Sequence, residues 1–191
     1  TVASTGIVTE ATGADINSSN SQFADVIAEY ATATDDCFYT DHDTANTITG
    51  DLDLKVRVAL ADWGAAHNKE LFSKTLGTTS RTFHTYIDSS GQAVFFTKNN
   101  PTSYYTNSAV LGFVDRTRHW LRITRESSGG LVNFYTAPDS DTVPTSWTQS
   151  GTADQATYAG ALIATNADLC VGNANVGWST SAKGSFFRAL L

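Results

Sequence analysis

The side chains in this sequence best able to do chemistry are its 19 Asp and Glu residues, and their spacing decides which chemistry is open. A retaining glycoside hydrolase needs a nucleophile and an acid whose carboxyl groups stand about 5–5.5 Å apart. Two carboxylates alternating along one strand would supply that, but no E-x-D-x-E run occurs. Asp51 and Asp53 do alternate, yet Lys55 and Arg57 continue their face, which reads as a solvated strand surface. Asp41-His42-Asp43 has the residue types of a triad or a metal site. A nucleophile would need a strained elbow such as G-x-S-x-G, which is absent. His67, His84 and His119 lie in unrelated segments without the spacing of metal-ligating histidines. The sequence therefore predicts a protein that is not an enzyme.

Binding chemistry has more support. Asp139 and Asp141, with Asp35 and Asp36 as a second cluster, are oxygen ligands of the hard kind that calcium takes from loops. No EF-hand-like loop surrounds them, so a solvated acidic turn is the preferred reading and no cofactor is expected, calcium being the alternative. Carbohydrate binding needs exposed aromatics to stack on sugar rings, and Asn or Asp side chains to meet hydroxyls. Trp63, Tyr104, Tyr105, Asn173, Asn175 and Trp178 are the candidates in loops. Each has a plainer reading: Trp63 closes the edge of a core, and Asn173-Ala-Asn175 forms a turn.

These residues must be positioned by strands. From His119 to Trp147 the sequence reads as one hairpin with an aromatic anchor behind it. Trp120 to Arg125 and Leu131 to Thr136 are rich in β-branched and aromatic residues and flank Ser-Ser-Gly-Gly, a loop suited to an antiparallel pair. If Glu126 faces Leu131, then Arg125 lies opposite Val132, Ile123 opposite Phe134 and Leu121 opposite Thr136, which gathers the apolar side chains on one face. The other face collects Trp120, Arg122, Thr124, Asn133 and Tyr135. There Arg122 can lie on the Tyr135 ring, a contact worth about 0.5–1 kcal/mol at an exposed site. Leu52, Leu54, Val56, Val58 and Leu60 alternate without a break, predicting a strand with one buried and one wet face. Strands are also predicted at Cys37–Tyr39, Lys69–Lys74, Ala109–Val114, Ala161–Ala164, Asp168–Val171 and Gly184–Leu191. Arg81–Ile87 and Ala93–Lys98 form a second hairpin, closed by Asp88-Ser-Ser-Gly-Gln with Gly at the strained position. About ten to twelve strands result.

The order of these runs resembles a known family. Trp120-Leu-Arg-Ile-Thr-Arg125, a Gly-containing turn, Val132-Asn-Phe-Tyr135 and an acidic loop ending at Trp147-Thr148 are similar to the middle of concanavalin A-like, laminin-G-like jelly-roll domains. Ile48 to Trp63, Leu71 to Lys74 and Asp168 to Ala174 look like the variants found in bacteriophage and prophage structural proteins. The likeness runs from about Asp35 to the C-terminus. It implies an all-β, two-sheet antiparallel jelly-roll sandwich at residues 35–191, with residues 1–34 as an N-terminal arm or linker. It also implies that Gly184–Leu191 is the closing strand, usually followed by more chain.

Composition narrows the partners. With 12 Lys+Arg against 19 Asp+Glu the formal net charge is −7, and the scattered cations offer no basic face for phosphates. No apolar run approaches the roughly 20 residues of a membrane helix. Cys37 and Cys170 lack zinc-site spacing and read as small residues in or beside strands rather than as a disulfide. Residues 1–34 are rich in Ser, Thr, Ala and Asn, with Phe23, Val26, Ile27 and Tyr30 as docking anchors for assembly. The expectation is a non-enzymatic virion structural protein, a capsid decoration or tail-associated sandwich. It would self-associate, contact other virion proteins and reach host surface glycans. The alternative is a carbohydrate-binding module or adhesin domain of a secreted bacterial protein.

Overall fold

The computed structural model describes residues 28–29, 38–40, 47–64, 67–77, 80–99, 102–152, 154–155, 159–172 and 184–191. Among them there is no helix, and thirteen strands form two antiparallel sheets. One sheet runs β1 (Ala28–Glu29), β13 (Gly184–Leu190), β3 (Leu52–Leu60), β8 (His119–Glu126), β9 (Leu131–Pro138) and β10 (Thr148–Gln149), with β11 (Asp154–Gln155) also on β9. We call it the B sheet. The A sheet runs β2 (Phe38–Thr40), β12 (Leu169–Val171), β4 (Lys69–Leu76), β5 (Ser80–Ile87), β6 (Gln92–Asn99) and β7 (Thr102–Val110). Jelly-roll crossovers place β3 beside the last strand, β13, and β12 beside β4.

The core lies between the sheets. Leu52, Leu54, Val56, Val58 and Leu60 on β3 meet Leu121, Ile123, Val132 and Phe134 of the β8–β9 hairpin and Leu71, Phe83, Ile87 and Phe95 of the A sheet in one buried cluster. The hairpin takes the register read from the sequence, Glu126 opposite Leu131 and Ile123 opposite Phe134. Arg122 sits 5.5 Å from the centre of the Tyr135 ring. The β5–β6 turn also follows its sequence, with Gly91 at φ +74° and the Asp88 carboxylate accepting the N–H groups of Ser90 and Gln92. A Cβ on Gly91 would also crowd Trp63 O at 3.2 Å.

Several expectations change. The outer face of β3 is not wet throughout: Arg57 is buried, its Nε donating to Asp139 Oδ1 at 2.7 Å while Nη2 lies 2.8 Å from Asp141 Oδ1. Trp120, read as a residue of the amphipathic face, has no exposure, because the segment after β9 folds over it. Its Nε1 donates to Ser140 O at 2.9 Å and Trp147 packs edge-on at 6.3 Å. Arg125 lies opposite Val132 on the inner face as the register predicts, and it is buried there, donating to Gly50 O at 3.0 Å and Gly160 O at 2.6 Å. Buried charge is tolerated in both places because carboxylates face Arg57 and backbone carbonyls accept from both terminal nitrogens of Arg125.

The strand expected at Ala109–Val114 is β7, and it begins earlier, at Thr102. Polar outer residues along this edge strand hide its period from a reading based on apolar alternation, and Gly112 at φ +67° turns the chain away beyond it. Ala161–Ala164 forms no strand; Leu162 is buried there and its N–H donates to Thr49 O at 2.8 Å. Ala28–Glu29, inside the stretch read as an arm, pairs with Phe186 and Ser185 of β13. Phe23, Val26, Ile27 and Tyr30 lie outside the described residues, as does Cys37; Cys170 is buried on β12.

Val56, 1 % exposed at the centre of the core, gives the sharpest test of this architecture. Val56→Asp is expected to unfold the domain in thermal circular dichroism, since an unpaired buried charge costs several kcal/mol of a total of about 5–15. Acid tests the outer face of the B sheet. Hydrogen bonds from the Ser127 backbone and hydroxyl hold the Asp51 carboxyl below its usual range. For Asp53, burial opposes ionisation, but hydrogen bonds from Arg122 and Lys55 outweigh it and the net shift is also downward. Carboxyls depressed in the folded state contribute stability above the unfolded value of about 3.9, and that contribution is lost as pH falls through the lower folded values. The melting temperature is therefore expected to drop below about pH 4, and less so in Asp53→Asn; a rise on acidification would contradict this.

Candidate ligand-binding site

The outer face of the A sheet follows from strand register. Phe95 and Ala93 of β6 point to the core, so Val94, Phe96 and Lys98 point out. Phe96 stands between His84 of β5 and Tyr105 of β7, and His84 in turn faces Ser73 of β4. A neighbouring row runs Glu70, Tyr86, Val94, Asn107, and a third Thr75, Arg81, Lys98, Ser103. Three bulges, two in the β4–β5 pair and one in the β5–β6 pair, bring Glu70 and Arg81 onto this face.

Exposure is graded across the rows. On β7, Ser103, Tyr105 and Asn107 are exposed, Tyr105 at 72 %. On β4 and β5, Glu70, Arg81 and His84 are buried, Glu70 completely. The Glu70 Oε2 carboxylate oxygen contacts His84 Nε2. The His84 ring packs against Tyr86 at 4.8 Å and edge-on to Phe96 at 6.1 Å, and the Arg81 guanidinium lies 5.0 Å from the centre of the Phe96 ring. Burial pulls the Arg81 pKa down, and the Glu70 charge works against that pull. Burial pushes the Tyr86 hydroxyl up, with Glu70 and Asp88 adding to the effect, so at neutral pH Tyr86 remains a donor. This face thus offers an aromatic surface with polar flanks, backed by a buried acid, base and cation.

The residues singled out in the sequence are placed unequally. Tyr104 and Tyr105 occupy opposite faces of β7: Tyr105 points outward on the Phe96 row, and Tyr104 is half-buried on the other side. Trp63 is 3 % exposed and packs edge-on against Phe113 (4.9 Å) and His119 (5.9 Å), which stack on each other, and its backbone N–H donates to Asp115 Oδ1 at 2.8 Å. Asn173, Asn175 and Trp178 lie outside the described residues. Asp139 and Asp141 converge on Arg57, so a calcium ion there would compete with a guanidinium. Among the described residues no group of three or more His, Cys, Asp and Glu is arranged to hold a metal ion. Glu70, Arg81, His84 and Phe96 were not singled out. The alternation of His84 and Tyr86 with Phe83 and Ile87 signals the outward face of His84, but Glu70 and Arg81 arrive by bulges that no periodicity shows.

A second cluster lies on the outer face of the B sheet. Arg122 donates to both oxygens of Asp53, at 2.7 and 2.9 Å, and its guanidinium lies 5.5 and 5.8 Å from the Tyr135 and Trp147 rings. Lys55 donates to the same carboxylate, and Gln149 donates to Asn133 beyond it. Here the polar groups are matched to one another, as on a solvated sheet.

No protein-family model matches the chain, and no curated protein matches it in sequence. Solved structures do. The CBM40 carbohydrate-binding module of Ruminococcus gnavus IT-sialidase, bound to α2,3 sialyllactose, superposes with a TM-score of 0.54 at 13 % identity, covering 88 % of each chain. The same module bound to α2,6 sialyllactose gives 0.51 at 14 % identity, over 88 % of this chain and 89 % of that one. Mouse laminin α1 domains LG4-5 give 0.48 at 12 % identity, over 79 % of this chain and 37 % of that one. At such identities the likeness speaks to fold, and with the strand order it establishes the chain as a concanavalin A-like antiparallel jelly-roll sandwich.

Proposed function

We propose that this domain is a non-catalytic glycan-binding module acting through the outer face of the A sheet at β6 and β7. The observation that carries the reading is Tyr105, a large aromatic left 72 % exposed on a row it shares with Phe96, with Ser103 and Asn107 exposed to either side along its strand. An aromatic ring presents an electron-rich face to the polarised C–H bonds of a pyranose, and neighbouring amide and hydroxyl groups meet the sugar hydroxyls. The structural neighbours that hold sialyllactose share this sandwich and support the same use of it. Hydrolysis is disfavoured because Glu70 is the one carboxylate in the described rows of this face, where a glycosidase needs two.

The display role in a virion, implied by the order of the sequence runs, draws no support from the fold or its neighbours. The module of a secreted or cell-surface protein, working outside the cell on glycans, suits both better. Among the described residues no helix is long and apolar enough to cross a membrane. Self-association and the assembly role of residues 1–34 stay as proposals alongside it, with glycans as the principal partner.

A glycan array followed by calorimetry is the test. Wild-type protein is expected to bind at least one glycan class without releasing products. Tyr105→Ala is expected to weaken binding ten-fold or more while shifting the melting temperature little, since exposed substitutions usually change stability by less than about 0.5 kcal/mol. Binding unchanged by Tyr105→Ala, turnover of the glycan, or silence across the array would each overturn the reading.

A further inference from the structure

Each sheet sets two cations directly opposite one another on its outer face. On the B sheet Lys55 faces Arg122, and on the A sheet Arg81 of β5 faces Lys98 of β6. Like charges directly opposite across a ladder are destabilising. The B sheet shows how such a pair is accommodated: the Asp53 carboxylate accepts from Lys55 Nζ at 2.7 Å and from Arg122 Nε and Nη2 at 2.7 and 2.9 Å. The A-sheet pair stands in a different setting. Its ladder neighbours are Thr75 and Ser103, and the row beside it on the face is His84, Phe96 and Tyr105. The Arg81 guanidinium lies 5.0 Å from the centre of the Phe96 ring. Lys98 is partly exposed, and Tyr105 is its diagonal neighbour across β6 and β7, about 7–8 Å away in such a ladder. In a chain of net charge −7, the exposed aromatic is thus placed beside two cations.

We infer that the glycan site is selective for acidic saccharides, with Lys98 meeting a carboxylate or sulfate carried by the sugar that stacks on Tyr105. This inference deepens the glycan-binding reading proposed above and rests on it. The bound acid does on the A sheet what Asp53 does on the B sheet: it lies against an opposed pair of cations and relieves their repulsion. Lys98 makes the contact, because its flexible stem carries the ammonium out over the surface. Arg81 is 6 % exposed and acts through its field, which adds to that of Lys98 without touching the ligand. The same register orients the sugar. Ser103, opposite Lys98, and Asn107 lie four residues apart along β7, about 13 Å, with Tyr105 midway between them. The acidic substituent therefore points toward Ser103 and the neutral end toward Asn107. Selectivity follows because a charge-assisted hydrogen bond is roughly twice as strong as a neutral one.

The test pairs acidic probes with neutral counterparts: α2,3-sialyllactose and sulfated lactose against lactose, and a hexuronate tetrasaccharide against its carboxyl-reduced form. Calorimetry is run on wild type, Lys98→Gln and Lys98→Arg. At least one acidic probe is expected to bind wild type ten-fold or more tightly than its counterpart. Lys98→Gln is expected to bring that ratio close to one, and Lys98→Arg to keep it. A merely structural role of Lys98 would weaken both members of a pair in proportion, leaving the ratio as it was, and would lower the melting temperature. Salt supplies a second readout on wild type alone: raising sodium chloride from about 0.05 to about 0.5 M shortens the screening length and is expected to shrink the preference. Neutral counterparts bound as tightly as the acids, a ratio that survives Lys98→Gln, or a preference indifferent to salt would overturn this inference and leave glycan binding through Tyr105 standing. Absence of binding by wild type to every glycan would overturn the glycan reading and this inference with it.

Discussion

Burial of one face of each sheet against a shared core locks the period-two alternation of the strands, and the remaining features of this molecule depend on that lock. A slip of β3 by one residue against β8 would turn Leu54, Val56 and Val58 toward water and Asp53, Lys55 and Arg57 into the core. The cost of that exchange fixes the register, and the register in turn decides which polar side chains share an outer face. Tyr105, Phe96 and His84 line up across three strands because Phe95 and Phe83, their neighbours in sequence, are committed to the interior.

The two outer faces answer the same constraint differently. On the B sheet, polar groups find each other: Asp53 with Arg122 and Lys55, Asp139 and Asp141 with Arg57. Such matching among partly exposed groups stabilises a solvated surface modestly. On the A sheet the charges sit deeper: Glu70 is buried against His84 and the Arg81 guanidinium lies by the Phe96 ring, while Tyr105 is left exposed on β7.

Most of the fold was legible in the sequence because its strongest signals are local. Alternation from Leu52 to Leu60 and the Ser127–Gly130 turn specify β3, β8 and β9 with their pairing, and Gly91 marks the β5–β6 turn. The A-sheet edge was misread, since β7 carries polar residues outward and half-polar ones inward, without an apolar period to mark it. Tyr104 and Tyr105 looked equivalent in sequence, and only the position of β7 in the sheet separates them. Glu70 and Arg81 were invisible as site residues because bulges, which shift a residue from one face to the other, have no signature in the pattern of apolar residues.

The most direct measurement of the central claim is an amide chemical-shift map of the intact domain titrated with its best-binding glycan. Perturbations are expected to cluster on the outer face of the A sheet, at Phe96, Ser103, Tyr105 and Asn107, and to extend to Tyr86. Shifts concentrated instead around Arg122, Tyr135 and Trp147 on the B sheet, or confined to the ends of the sandwich, would contradict the account.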